Sequence, residues 1–268
     1  MKLIASANSL EHLKELVNKN IDGVILSIDK LAVNDSFYID VDVLDEFDFK
    51  DKEVFVHINK LMHNSDLAYL KSVIEKLKNK NVRIMFYDMA VYMIASEYGM
   101  TDRLVIMQDH LNASVLSNKF YSNRGIKSSY ITSDITKDEL LEIKEKSGME
   151  LFFLGYGYAP IFYSRRYLIT NYLKYIDEEK GHEYQIISDD DKAYPIDEEA
   201  YGTTIYTEKP INLLNHLKEL ENIDYLVLKS NKIADEEFNL MVDKFVNNDK
   251  VDEEYVGFFN TKTIYKIK

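Results

Sequence analysis

Residues 151–172 read LFFLGYGYAPIFYSRRYLITNY, and their pattern is the one by which the rest of the chain is parsed. The run LFFL is short, bulky and apolar, which suits a strand buried on both faces, and Gly155 and Gly157 break it. Pro160 has no N–H to give to a regular ladder. From Tyr163 onward, Tyr167, Leu168, Tyr172 and Leu173 recur at helical spacing, and Ser164 stands where an N-cap belongs. The stretch therefore predicts strand, glycine turn, helix. Such a junction offers free backbone N–H groups and the positive end of a helix dipole, and Arg165 and Arg166 add fixed charge beside it. Tyr156, Gly157, Ser164, Arg165 and Arg166 form a candidate anion-binding set. On the alternative reading, the arginines pair with surface carboxylates and the glycines serve only the turn.

The same alternation runs outward in both directions. Short apolar runs marked by Leu3, Val24, Val54, Ile84, Leu104, Ser129, Leu151 and Leu226 give eight strands. Between them, helical spacing predicts helices over 9–19 (Ser9 as cap), 66–78, 89–98, 113–122 and 137–146, then 211–220 and 235–246, and the acidic stretch 29–51 is looser. Eight strands with intervening helices predict an α/β fold of the TIM-type (β/α)8 class, its strands parallel and its crossovers right-handed. Residues 1–176 hold the first seven strand–helix units. Residues 177–210 break into acidic loops with two β-like pieces, near 184–187 and 203–207, and read as a small β insertion before the last strand. Residues 211–248 hold the last helix and strand of the barrel. Residues 249–268 form an extension whose end, GFFNTKTIYKIK, alternates like a C-terminal strand.

Composition narrows the function classes. With 268 residues, 46% of them hydrophobic, the chain can bury a full barrel core. A net charge of −13 opposes coating nucleic acid or an anionic membrane, though a local basic pocket remains compatible with it. The absence of cysteine removes disulfides, thiol nucleophiles, sulfur-ligated zinc and iron–sulfur clusters together. No run is long enough for a signal peptide or membrane span, so a cytoplasmic protein is expected.

In a barrel of this class, chemistry lies just past the strand C-termini. Ser27, Asp29, His57, Asn59, Tyr87, Asp88, Gln108, Asp109, His110, Ser133, Asp134, Tyr156, Lys229 and Asn231 all fall there. Of these, His57, Asp88, His110, Asp134 and Lys229 are the candidate catalytic residues, as acids, bases or a charged anchor. Their spacing fits no recognised metal motif, so no metal is assigned. Helix capping accounts equally for Asp88 and Asp134, a structural hydrogen bond for the histidines, and snorkelling for Lys229. No nucleophile elbow, zinc-helix motif, P-loop or dinucleotide fingerprint is present. The clustered Tyr156, Tyr158, Tyr163 and Tyr167 suggest base stacking, but tyrosine is abundant throughout the chain.

The succession LIASANSLEHLKELVNKNIDGVIL from Leu3, VFVHINKL from Val54, the run Gly157-x-x-Pro160-x-x-x-Ser164-x-Arg166, and GTTIYTEKPINLLNHLKELENIDYLVLK from Gly202 resembles the collagenase-like peptidases of family U32. The resemblance covers nearly the whole chain and implies a barrel core. The family name implies peptide hydrolysis, whereas better understood relatives hydroxylate RNA nucleosides or a quinone precursor, some with prephenate or an iron–sulfur cluster. Cluster-bearing relatives have cysteine where this chain has Tyr167, and many continue the eighth strand from lysine into glutamate where this chain has Lys229-Ser230-Asn231. The resemblance therefore implies a short, cysteine-free partner subunit of a tRNA uridine hydroxylation system. A longer cysteine-bearing relative would be its partner, tRNA would be reached through that partner, and an anion such as prephenate would be a possible ligand. A peptide hydrolase and a degenerate barrel that only binds a ligand or partner are the competing readings.

Overall fold

A computed structural model describes residues 1–179, 181, 184–189 and 191–261. Eight parallel strands, Lys2–Ser6, Gly23–Ile28, Glu53–Ile58, Val82–Phe86, Leu104–Met107, Ser128–Tyr130, Glu150–Gly157 and Tyr225–Leu228, pair in sequence order. The first strand pairs with both the second and the eighth, which closes the barrel. Closure removes the unpaired edges that an open sheet would leave. All eight marker residues lie in these strands.

Local chemistry sets the surrounding helices. Ser9 caps Leu10–Leu16 by accepting the His12 N–H at 3.0 Å. Thr136 and Glu139 form a capping box at the start of Lys137–Ser147, and Gly148 ends that helix in the left-handed region. Helices Leu67–Leu77, Met89–Glu97, Val115–Ser122 and Asp235–Asn247 complete the layer. Leu67–Leu77 turns an apolar stripe of Leu70, Val73, Ile74 and Leu77 to the sheet, whereas Val115–Ser122 buries only Asn118.

The stretch 29–51 is loose, as expected, and two other segments depart from the sequence expectation. The stretch 29–51 forms only a two-residue strand, Tyr38–Ile39, beside the second barrel strand and one helical turn, Val43–Glu46. Lys30, Asn34 and Lys50 have positive φ, which a continuous helix cannot contain. The helix expected over 211–220 is replaced by a two-residue strand, Ile211–Asn212, paired antiparallel with the seventh barrel strand, and a short 3-10 turn, Leu214–His216. Here the Asn212 carboxamide accepts the Leu214 N–H at 3.1 Å, and the Leu213 N–H goes to the Gly155 carbonyl, so tertiary hydrogen bonds take the groups a helix needs.

The second departure is in residues 151–172. The chain leaves the barrel at Gly157 and enters a second strand, Pro160–Ser164, before the helix Leu168–Ile176 begins. That strand joins Gly202–Tyr206, Ala193–Glu199 and Tyr184–Ile187 in a four-stranded antiparallel sheet. Pro160 sits at the strand's first position, opposite Tyr206 at an irregularity, where its missing N–H costs no ladder bond. The small sheet and the helix Leu168–Ile176 bury a core of their own around Ile169, Leu173 and Ile196. An apolar groove of about 310 Å³ opens onto that core between the helix and the sheet.

At the C-terminal side, residues 257–260 form a turn that buries Phe259 against Phe153 and His216. The C-terminal strand expected within 257–268 is not formed in that turn, and residues 262–268 lie outside the described residues.

Candidate functional site

Strand alternation fixes what points into the barrel. Phe55, Phe152 and Tyr225 meet in its interior, with Phe152 and Tyr225 stacked at 4.2 Å and Phe55 edge-on to both. Residues an even number of places further along share that inward face, so His57, two past Phe55, and Lys229, four past Tyr225 and just beyond the strand, point toward the C-terminal mouth. Ser27 pairs in register with His57, and Tyr130 with Phe152, which brings both to the same interior.

At the mouth, the Asp35 carboxylate accepts from Ser27 Oγ at 2.7 Å and lies 2.7 Å from His57 Nδ1. Asp35 and His57 are both buried, His57 to within 2% of full burial. Burial pushes the Asp35 carboxyl up, but His57 and then Lys229 outweigh it and hold the group below the usual carboxylate range. His57 Nε2 has no hydrogen-bond partner. The Lys229 ammonium lies 3.4 Å from Asp109 and over the Tyr130 ring. Its side chain is only 9% exposed, so it spans the mouth instead of snorkelling outward. Burial followed by the charge of Asp109 and Asp134 raises the Tyr130 phenol well above its ordinary value.

The small sheet covers this mouth through polar contacts. Tyr38 donates to Glu199 at 2.9 Å, Asn231 to the Tyr206 hydroxyl at 3.1 Å, Lys232 pairs with Asp197 at 2.7 Å, and Thr204 bonds Asn34. Lys60 lies over the Tyr201 ring at 4.2 Å. Burial raises the Glu199 carboxyl above the usual range, with nearby Asp35 and Asp197 adding to the effect against the Tyr38 hydrogen bond.

The remaining candidates separate by role. Asp88 caps the helix Met89–Glu97, its two oxygens accepting from Ala90 N–H at 2.8 Å and Met62 N–H at 2.9 Å. Asp134 is no helix cap, since Thr136 takes that place; its carboxyl is raised by burial, and its N–H donates to Thr132 Oγ1. His110 stacks obliquely with Tyr87 at 6.1 Å and acts electrostatically on Asp134. Tyr156 turns out of the barrel, because the register shift opposite Gly155 places it against Phe238 and Phe245 with its hydroxyl toward Glu237. Gly157 has φ +126°, and a Cβ there would stand 2.5 Å from the Lys229 carbonyl oxygen, so glycine is what lets the chain pass Lys229.

The anion-binding geometry expected at Ser164–Arg166 does not form. Ser164 is the last residue of a strand and not an N-cap. The helix starts at Leu168, whose N–H goes to Thr203 Oγ1, and the Thr170 N–H is taken by the Glu198 carboxylate. The chain thus supplies its own anion at that helix end. Arg165 donates to the Leu61 carbonyl at 2.9 Å, pinning the small sheet to the barrel rim, and Arg166 is exposed. Among the described residues, neither guanidinium pairs with a carboxylate, so the surface ion pairs of the alternative reading are not formed either. No group of three or more metal-ligating side chains is gathered among the described residues.

Asp35 and Glu199 carry no local signal in the sequence. Asp35 lies eight residues past Ser27 in an aperiodic loop, and Glu199 belongs to an insertion whose docking only the tertiary fold reveals.

The barrel, its covered mouth and the order of its segments accord with one comparison in particular. A model of peptidase family U32 matches residues 8–234. This chain belongs to that family. It is also 27% identical over 177 residues to the tRNA hydroxylation protein P2 of Bacillus subtilis (strain 168), a match covering 63% of this chain and 57% of the relative. The chain thus aligns with a little over half of that relative's length.

Proposed function

We propose that this U32 protein is a component of a tRNA hydroxylation system, acting as a partner subunit beside a longer, cysteine-bearing relative. The observation that carries the proposal is its similarity to the Bacillus protein of that name, across the shared family barrel. The charge of −13 supports a division of labour, with the partner supplying the basic face that meets RNA and this chain contributing a covered barrel mouth around His57 and Lys229. No helix among the described residues is long and apolar enough to cross a membrane, which is compatible with that setting.

The peptide hydrolase implied by the family name finds no support at the mouth. A serine nucleophile needs its hydroxyl against an imidazole nitrogen that can take the proton. Ser27 instead donates to Asp35 Oδ2, the same oxygen that faces His57 Nδ1, and not to an imidazole nitrogen. The test of the proposed function is nucleoside mass spectrometry of tRNA from host cells lacking this gene. Loss of hydroxylated uridine, restored by the full chain, is expected. Unchanged hydroxylation in the deletion strain would contradict the proposal.

A further inference from the structure

Buried polar groups are almost always paired, so an unpaired one marks either strain or a missing partner. Asn8 Oδ1, His12 Nε2, Arg103 Nε and Asn239 Oδ1 also lack partners among the described residues, but they belong to the helical layer and its connections. His57 Nε2 is different. It sits on the inward face at the barrel mouth, where the family's architecture places chemistry. Its ring is held from the opposite side, because Nδ1 faces Asp35 at 2.7 Å and Asp35 is fixed in turn by Ser27. The 2.7 Å contact to the Asp35 carboxylate makes Nδ1 the donor of that pair, which leaves Nε2 as the ring atom that can accept when the imidazole is neutral. A second proton there would be a buried N–H with no acceptor.

The charges around the mouth select the class of ligand. Asp35, Asp109, Asp134 and Glu199 face it against Lys229 and His110, and Lys229 is already engaged by Asp109. An anion entering this acidic ring meets repulsion that the one occupied ammonium does not offset. The Tyr130 ring lies 5.6 Å from the Lys229 ammonium, and Tyr163 is near enough to Tyr87 and Glu199 for both to raise its phenol beyond the effect of burial, so aromatic side chains stand beside these charges. We infer that the barrel mouth is a ligand site in which His57 Nε2 accepts a hydrogen bond from a small uncharged ring bearing an O–H or N–H group, with Asp35 and Ser27 as positioning residues. Entry requires the small sheet to lift. Its contacts to the barrel rim are the polar ones described above, and its apolar core is separate from the barrel's.

This inference does not depend on the tRNA reading and is tested apart from it. The full chain labelled with 15N-histidine is observed by long-range proton–nitrogen NMR while phenol is added as the probe. Toluene serves as the isostere without a donor, and benzoate as the charged counterpart. His57 is expected to show a proton on Nδ1 and a bare Nε2, and phenol to shift Nε2 saturably while toluene and benzoate do not. Asp35→Asn should disturb the tautomer. His57→Asn keeps a donor toward Asp35 but lacks the far nitrogen, and should weaken phenol binding about tenfold, read from the phenol resonances, the loss of one hydrogen bond. A proton on Nε2 in the free protein, no response to phenol because a buried water alone fills the site, or preferential binding of benzoate would each overturn the inference. The wild-type titration stands by itself if the variant fails to fold.

Discussion

The two ends of the barrel solve the same problem in opposite ways. At the N-terminal end Arg83 lies 5.2–5.4 Å from the Phe55, Phe152 and Tyr225 rings, pairs with Glu150 and donates to Ser128 and Tyr225. Lys2 and Glu53 close the same network around the Tyr225 hydroxyl. Donors and acceptors match there, and the end is a plug. At the C-terminal end the charges of Asp35, Lys229 and Asp109 are more deeply buried, yet His57 Nε2 is unpaired, Asp134 and Glu199 hold their protons more tightly than usual, and the cover is attached by polar contacts. A satisfied ionic cluster and an unsatisfied one occupy equivalent positions in one barrel. The difference is what the ligand site inferred at the C-terminal end rests on.

Breaking the plug should cost most. Arg83→Leu leaves Glu150 without its cation and removes a guanidinium packed on three rings. The rim is partly exposed, so screening reduces the penalty, and a loss of about 3 kcal/mol in chemical denaturation is expected. Gly157→Ala comes next. A left-handed alanine whose Cβ would strike the Lys229 backbone should lose about 2 kcal/mol and displace Lys229, seen as a lower denaturation midpoint and altered resonances at Tyr130.

How far each end could be read from sequence follows from its physics. Parallel strands buried on both faces are continuous apolar runs, so LFFL, RLVIM and YLVL are visible one by one and their number fixes the barrel. His57 and Lys229 were legible because they immediately end or follow such runs. Asp35 was not, since its partners are brought to it by a loop with no periodicity. Pro160–Ser164 was misread as a turn into a helix because its strand partner, Gly202–Tyr206, lies some forty residues downstream, and local spacing carries no record of that pairing. The helical spacing of LLNHLKEL was likewise overridden by the Asn212 side chain and the Gly155 carbonyl.

Smaller effects sharpen the contrast at the mouth. A carboxyl raised on folding binds its proton more tightly folded than unfolded, so attachment of the cover through Glu199 should strengthen as pH falls through its raised value toward the usual 4.3 or so. Asp35 has the opposite sign. Its contribution is complete above the unfolded value of about 3.9 and is lost as pH falls through its lowered folded value. Glu199→Gln should therefore raise Tm at neutral pH, by about 2 °C, and flatten the pH dependence between those limits, measured by scanning calorimetry. His57→Asn should cost about 1 kcal/mol, because it keeps a donor toward Asp35 and loses Nε2, which has no partner, together with a small buried volume of the ring.

The most direct measurement of the account combines that variant with the cell. In host cells lacking this gene, wild-type protein and His57→Asn are expressed to equal levels and hydroxylated uridine in tRNA is quantified by mass spectrometry. Wild type is expected to restore hydroxylation, and His57→Asn to lose it while remaining folded at the growth temperature, as judged by its melting temperature. Equal restoration by both would contradict the claim that the unsatisfied end of the barrel is where this protein works.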